Sequence, residues 1–176
     1  MQARGLLMKE HRLIERMIRH IDSALTEIES TERVDPVFVD TAVDFVRTYA
    51  DRTHHGKEED ILFEDLDGKP MSKEEAKLMA ELVEEHKLGR KLTGELVAAK
   101  EAYLAGDTSQ AAVVLDRFGQ LIDFYPQHIA KEDDHFFPDT ERHYSKEQLD
   151  HMLADFYDFD MQMIHEKYKN DVTAWE

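Results

Sequence analysis

The chain has 176 residues, and its 39 acidic against 22 basic side chains give a formal net charge of −17, which argues against nucleic acid as a partner. It lacks cysteine, which excludes disulfides, thiolate metal sites, thiol catalysis and iron–sulfur ligation by its own side chains. No apolar run approaches the length of a membrane span, and no signal-peptide apolar core opens the chain, so the expected setting is soluble and cytoplasmic, with no membrane partner.

Few glycines and prolines and 35% charged residues favour helix throughout. A first helix is expected from about Gly5 to Glu29, with Leu7, His11, Ile14, Ile18, Ile21, Leu25 and Ile28 at helical spacing. Asp35 as N-cap and Pro36 at the first helical position open a second. It continues through Phe38, Phe45, Tyr49 and His54 to about Glu64 and stops in the turn Asp65-Leu66-Asp67-Gly68-Lys69-Pro70. Ser72-Lys73-Glu74-Glu75 is a capping box opening a third helix that runs through His86 to about Ala105, before Gly106. The fourth begins near Asp107 and carries His128 and Glu132 towards Pro138, with a kink expected at Pro126. Ser145-Lys146-Glu147-Gln148 opens a fifth that ends near Lys169. No stretch alternates like a strand. The fold class is therefore all-α, four long helices joined by short loops with an additional C-terminal helix, in a single domain over 1–176.

Two segments carry the chemistry. His54-His55-Gly56-Lys57-Glu58-Glu59-Asp60 recurs in altered form as His128-Ile129-Ala130-Lys131-Glu132-Asp133-Asp134, and the copies converge again on Leu62-Phe63 and Phe136-Phe137. Each keeps a His four residues before a Glu, so on a helix both side chains point the same way. Glu10-His11-Arg12-Leu13 is likewise matched by Glu85-His86-Lys87-Leu88. From His11 to His54 is 43 residues and from His86 to His128 is 42, so the halves read as copies of one helical hairpin, about 5–65 and 72–138, followed by the fifth helix at about 145–169. At about 1.5 Å per residue, each hairpin places its histidines at one level. Between the halves the counts differ: roughly 8 helical residues, or a few more, follow His54, whereas 14 separate Ser72 from His86, which predicts an overhang of one or two turns or a bend at the start of the third helix.

Register has competitors. His55 also precedes a carboxylate, Glu59, by four residues, but its repeat counterpart is Ile129, so symmetry favours His54 with Glu58. Asp133, five residues after His128, remains an alternative to Glu132. Histidines without a repeat partner (His20, His55, His135, His143, His151, His165) are expected at the surface or in supporting positions. Tyr125 reads as a packed core residue or a hydrogen-bond donor to the pocket. Gly89 and Gly94 leave space for a small ligand or allow close helix packing. Met152, Phe156, Phe159 and Met163 of the fifth helix suggest a lid or an interaction surface.

The order His, His-x-x-x-Glu, His, His-x-x-x-Glu resembles the hemerythrin-like (HHE cation-binding) family over most of the chain, and implies its up-down four-helix bundle. The ligand pattern is more similar to the di-iron domain of iron–sulfur-cluster repair proteins than to oxygen carriers. Those carriers have a His-x-x-x-His on the third helix, where this chain has Leu82 and Arg90 four residues either side of His86. It also lacks the cysteine-containing segment that the repair proteins usually carry. The resemblance implies two non-haem iron ions, one held by His11 and His54, the other by His86 and His128. Glu58 and Glu132 would bridge them, with an oxo or hydroxo bridge offsetting the remaining positive charge. Imidazole with carboxylate suits manganese and zinc as well, so iron comes from the family.

Three classes of function follow. The first is a di-iron protein that binds or senses dioxygen, nitric oxide or peroxide in oxidative or nitrosative stress. The second is a peroxidase-like or nitric-oxide-reducing oxidoreductase, which needs a redox partner protein whose docking motif the sequence does not display. The third is iron storage or delivery, including for iron–sulfur cluster repair.

Overall fold

The computed structural model describes residues 3–173. Among these, five helices follow one another without a strand. They are α1 (Ala3–Thr31), α2 (36–67), α3 (Lys73–Leu104), α4 (110–141) and α5 (Lys146–Thr173). The first four form an up-down bundle, and α5 packs across α1 and the middle of α2 as an additional C-terminal helix. No helix among the described residues is long and apolar enough to cross a membrane.

The expected helix starts are realised by their side chains. Asp35 accepts hydrogen bonds from the amides of Val37 and Phe38, and Pro36 occupies the first turn. Ser72 and Glu75 form a reciprocal capping box, and Ser145 with Gln148 repeats it at α5. Gly106, with φ of 106°, stands just beyond α3 in a backbone conformation that side chains disfavour.

Helix ends differ from the sequence expectation in a way that repairs the join between the hairpins. α2 does not stop near Glu64 but continues to Asp67, so 13 residues follow His54, and 13 separate Lys73 from His86. The mismatch that predicted an overhang of the third helix is absent, because α2 after His54 and α3 before His86 contain the same number of residues. The fourth helix likewise does not end at Pro138. That proline lies in the first turn of the α-helical segment Phe137–Glu141, where its missing N–H costs little. Pro126 sits inside the α-helical segment Gln110–Lys131, and the winding changes only after it, at Glu132.

That change is to π-winding, in which each hydrogen bond closes one residue later than in an α-turn. α2 is π-wound at Phe45–His55 and Glu58–Phe63, and α4 at Glu132–Phe136. In both helices the Glu of the repeated motif is the first residue of a π-wound segment.

Apolar side chains form two clusters with a polar layer between them. One lies towards the α1–α2 and α3–α4 turns and includes Ile14, Ile21, Val39, Leu96, Phe118 and Leu121. The other contains Leu7, Leu62, Leu66, Leu82, Phe136 and Phe137, and is completed by Leu149, Met152 and Phe156 from α5. The lid expected from α5 is therefore real for Met152 and Phe156. Phe159 reaches Gly56, where an added Cβ would lie 2.8 Å from its ring. That glycine thus admits α5 to the helix carrying His54. Further along, Met161 and Ile164 face outward.

Truncating Phe156, which is fully buried, should cost about 3–5 kcal/mol. Urea unfolding of Phe156→Ala measures this, and a loss well under 1 kcal/mol would show that α5 contributes little to the core.

Candidate metal centre

The polar layer is built from two Glu-His pairs and the two copies of the longer motif, one pair or motif on each bundle helix. His11, His54, Glu58, His86, His128 and Glu132, the six residues singled out in the sequence, are all buried and converge there. Their ring Nε2 atoms face inward. His11 and His54 bring Nε2 to Nε2 at 2.8 Å. Glu58 lies 3.5 Å from the Nε2 of both His54 and His86. Glu132 lies 3.2 Å from His11, 3.3 Å from His128 and 3.7 Å from His86. Each glutamate thus stands between histidines of both hairpins. Two groups suited to a metal ion result: His11, His54, Glu58 and Glu132, and a second of His86, His128 and His55.

Behind the rings stands a matching set of carboxylates. The Nδ1 of His54 meets Glu10 at 2.8 Å and that of His128 meets Glu85 at 2.9 Å, each within its own hairpin. The Nδ1 of His11 meets Asp133 at 2.7 Å and that of His86 meets Glu59 at 2.6 Å, each across to the other hairpin. A carboxylate on Nδ1 fixes the tautomer and ring orientation and leaves Nε2 as the free lone pair. Cations hold the carboxylates in turn: Lys57 donates to Glu10, Lys131 to Glu85, Arg12 to Asp133 and Arg90 to Glu59. Phe63 stacks on His86 and Phe137 on His11, again across the hairpins. The residues flanking the six in each motif are therefore the ones that orient them. Asp133, the alternative to Glu132, is occupied in holding His11.

Several buried polar atoms remain without a hydrogen bond: both oxygens of Glu58 and of Glu132, and the Nε2 atoms of His86 and His128. Leaving such groups unpaired is costly, and a cation among them would satisfy all of them together. The donor set of neutral imidazoles and carboxylates fits iron, manganese or zinc. Electrostatics in the absence of an ion follow from crowding. Burial, and then the charge of Glu132, drive the Glu58 carboxyl well above its usual range. Burial also acts to raise Glu132, but the charges of His128 and His11 and contact with His86 hold it well below. One carboxylate is thus neutral and the other ionised, as expected for two acids sharing a site. Burial would lower His11, but Asp133 and Glu132 raise it to about 9, while burial and the charge of His11 lower His54 to about 4.

Of the two positions expected for His55, at the surface or supporting the site, the structure excludes the surface: it is 2% exposed and lies among the site histidines. The comparison of repeats carried the information, since its counterpart Ile129 is also buried; a mismatch in chemistry concealed a match in burial. Of the others, His20, His135, His151 and His165 are exposed, and His143 is 3.0 Å from Glu75, near the start of α3. Tyr125 is buried and, with His55, Gly89, Arg90 and Gly94, lines a cleft of about 320 Å³ beside the site. Beyond its own turn of helix, nothing lies within 4 Å of a Cβ placed on Gly94, so there the small residue leaves space and is not packed against another helix.

Lys57 is fully buried between Glu10 and Asp160 of α5, so the histidine layer and the C-terminal helix share one cation. Lys57→Met leaves Glu10 buried without its counter-charge, which should destabilise the fold by about 3–5 kcal/mol. Thermal or urea unfolding checks it; Asp160→Asn, altering a partly exposed partner, is expected to cost less.

Family-level comparison matches the chain to the hemerythrin HHE cation binding domain over residues 3–140 and again over 80–166. No individual curated protein and no solved structure matches it significantly. With the bundle, the two groups suited to a metal ion and a match spanning most of its length, the chain belongs to the hemerythrin HHE cation-binding domain family.

Proposed function

We propose that this chain acts as a single hemerythrin-like unit whose polar layer holds two non-haem iron ions and binds or senses a small oxidant: dioxygen, nitric oxide or peroxide. The observation carrying this reading is that four carboxylate oxygens of Glu58 and Glu132 are buried without hydrogen bonds among imidazoles whose outer nitrogens are already anchored. His11 and His54 would hold one ion, His86 and His128 the other, and Glu58 and Glu132 would bridge. When bound, such a pair supplies open coordination positions and one-electron chemistry towards small oxidants.

The chain's own residues do the rest. The carboxylate behind each Nδ1 holds a proton on that nitrogen, which fixes the tautomer that ligates through Nε2 and keeps the ring correctly turned. The two apolar clusters exclude bulk water above and below the layer. The cleft along Gly89 and Gly94 offers a diatomic molecule or peroxide a route to the layer, and the ion pair between Arg90 and Asp51 lies at its side.

Anaerobic loading with ferrous ion, followed by metal analysis and optical spectra after adding dioxygen, nitric oxide and peroxide separately, tests the reading. Two ions per chain and a ligand-specific spectral change are expected; fewer than two ions would sink it. Glu58→Ala and Glu132→Ala should each abolish stable retention of the pair. Glu59→Ala and Asp133→Ala should keep both ions but bind them about 10- to 100-fold more weakly, since they orient rather than bridge. Equal losses within either pair would contradict the assignment.

Binding should also be proton-coupled. His11 holds its proton up to about 9, and Glu58 is protonated well above the usual carboxylate range, so an ion must displace both. Affinity should therefore rise with pH from neutrality towards 9, with protons released on binding. Calorimetry in buffers of different ionisation enthalpy measures that release, and pH-independent affinity would contradict it.

A further inference from the structure

His55 is the one histidine in the layer that neither the ligand pattern nor the anchoring carboxylates account for. It is 2% exposed, and neither ring nitrogen makes a hydrogen bond. A buried imidazole packed only for its shape would lose its hydration at both nitrogens with no return. Its surroundings repeat the arrangement around the other four rings. Each of those has a carboxylate at Nδ1, and the Nδ1 of His55 faces Asp51, one turn earlier on the same helix, at 3.5 Å. Asp51 is held by Arg90, which also holds the Glu59 that orients His86. One guanidinium thus sits behind both rings. Inward, the ligating atoms of His55, His86 and His128 lie within 4.8 Å of one another. The repeat explains why there is only one such residue, since Ile129 and Tyr125 stand where symmetry would place a second His55 and a second Asp51.

We propose that His55 is a fifth histidine ligand, giving the ion at His86 and His128 a third imidazole and making the two metal positions unequal. This rests on the di-metal reading above. The ligand comes from α2, because the positions on α3 one turn either side of His86 hold Leu82 and Arg90. The ring of His55 stacks on that of His86, with centroids 3.9 Å apart and planes 9° from parallel. Parallel rings cannot both aim in-plane lone pairs at one ion, so ligation turns His55 out of the stack. The cleft of about 320 Å³ on its other side provides the room. With Nδ1 facing Asp51, Nε2 is the atom directed to the ion.

The test is anaerobic titration of the full chain with ferrous ion against a competing chelator, with Mössbauer spectra of the loaded samples. Wild type should bind two ions and show two distinct ferrous signals. His55→Phe keeps the ring stack without a nitrogen. It should hold one ion with unchanged affinity and the other about 10- to 100-fold more weakly or not at all, a direct ligand mattering at least as much as the groups that orient one. Only one of the two Mössbauer signals should change. His55→Gly opens the ring's own volume to the cleft, and added imidazole should restore the weakened site. Asp51→Asn should weaken the same ion and leave the other untouched. His55→Phe and His55→Gly holding both ions with wild-type affinity and spectra would overturn the proposal, including where only nitric oxide or azide binding weakens. Wild type binding fewer than two ions overturns the di-metal reading, and this inference with it.

Discussion

The structure depends on keeping a layer of ionisable groups dry between two apolar clusters. Burying a carboxylate or an imidazole away from water costs several kcal/mol unless it is paired. The bundle meets that cost in concentric fashion. Cations at the edge hold carboxylates, carboxylates hold the outer nitrogens of the rings, and the inner nitrogens and two further carboxylates are left facing one another. The inward oxygens of Glu58 and Glu132 and the inward nitrogens of His86 and His128 lack hydrogen-bond partners, and their chemistry is that of a cation's ligands. Stability and site are therefore one arrangement, since every group that anchors a ring also neutralises a charge the fold has to bury.

Near two-fold repetition makes this arrangement cheap to encode. Glu10 and Glu85 each precede an inward histidine, yet each orients the histidine of the partner helix in its own hairpin. Glu59 and Asp133 each follow an inward glutamate and orient a histidine of the opposite hairpin. The crossed contacts, reinforced by Phe63 and Phe137 stacking on the same two rings, tie the halves together at the level of the layer. Neither hairpin can complete the set by itself.

Departures from symmetry are where the two halves acquire different tasks. Asp51 and His55 in α2 have Tyr125 and Ile129 as their repeat counterparts in α4, and Lys57 pairs with Asp160 of α5 as well as Glu10, whereas Lys131 pairs with Glu85. The cleft opens between α2 and α3, beside His55, so access lies at the join of the two halves, next to the extra imidazole. π-winding accompanies both inward glutamates and is more extensive in α2. A wider turn separates successive side chains by a smaller angle, which helps His54 and His55 to be buried together.

The sequence by itself determined the helices, the up-down order, the family and the six inward residues. Caps, periodicity and a His-to-Glu spacing of one turn are local signals that survive whatever the chain packs against. It also held the anchoring residues, as Glu10, Glu85, Glu59 and Asp133 lie next to the residues that were recognised. Their roles could not be read because each acts on a different helix. Helix length after His54 escaped prediction because Asp65 and Asp67 are poor residues for a helix's last turn, and the helix is carried past them by Leu66, which is buried in the cluster with Leu62, Leu82 and Phe136. His55 escaped because repeat comparison weighs residue type, whereas burial is decided by what α3, α4 and α5 bring against that position. Tertiary structure alone decided which nitrogens and oxygens face inward without partners, and those are the atoms on which the proposed metal binding rests.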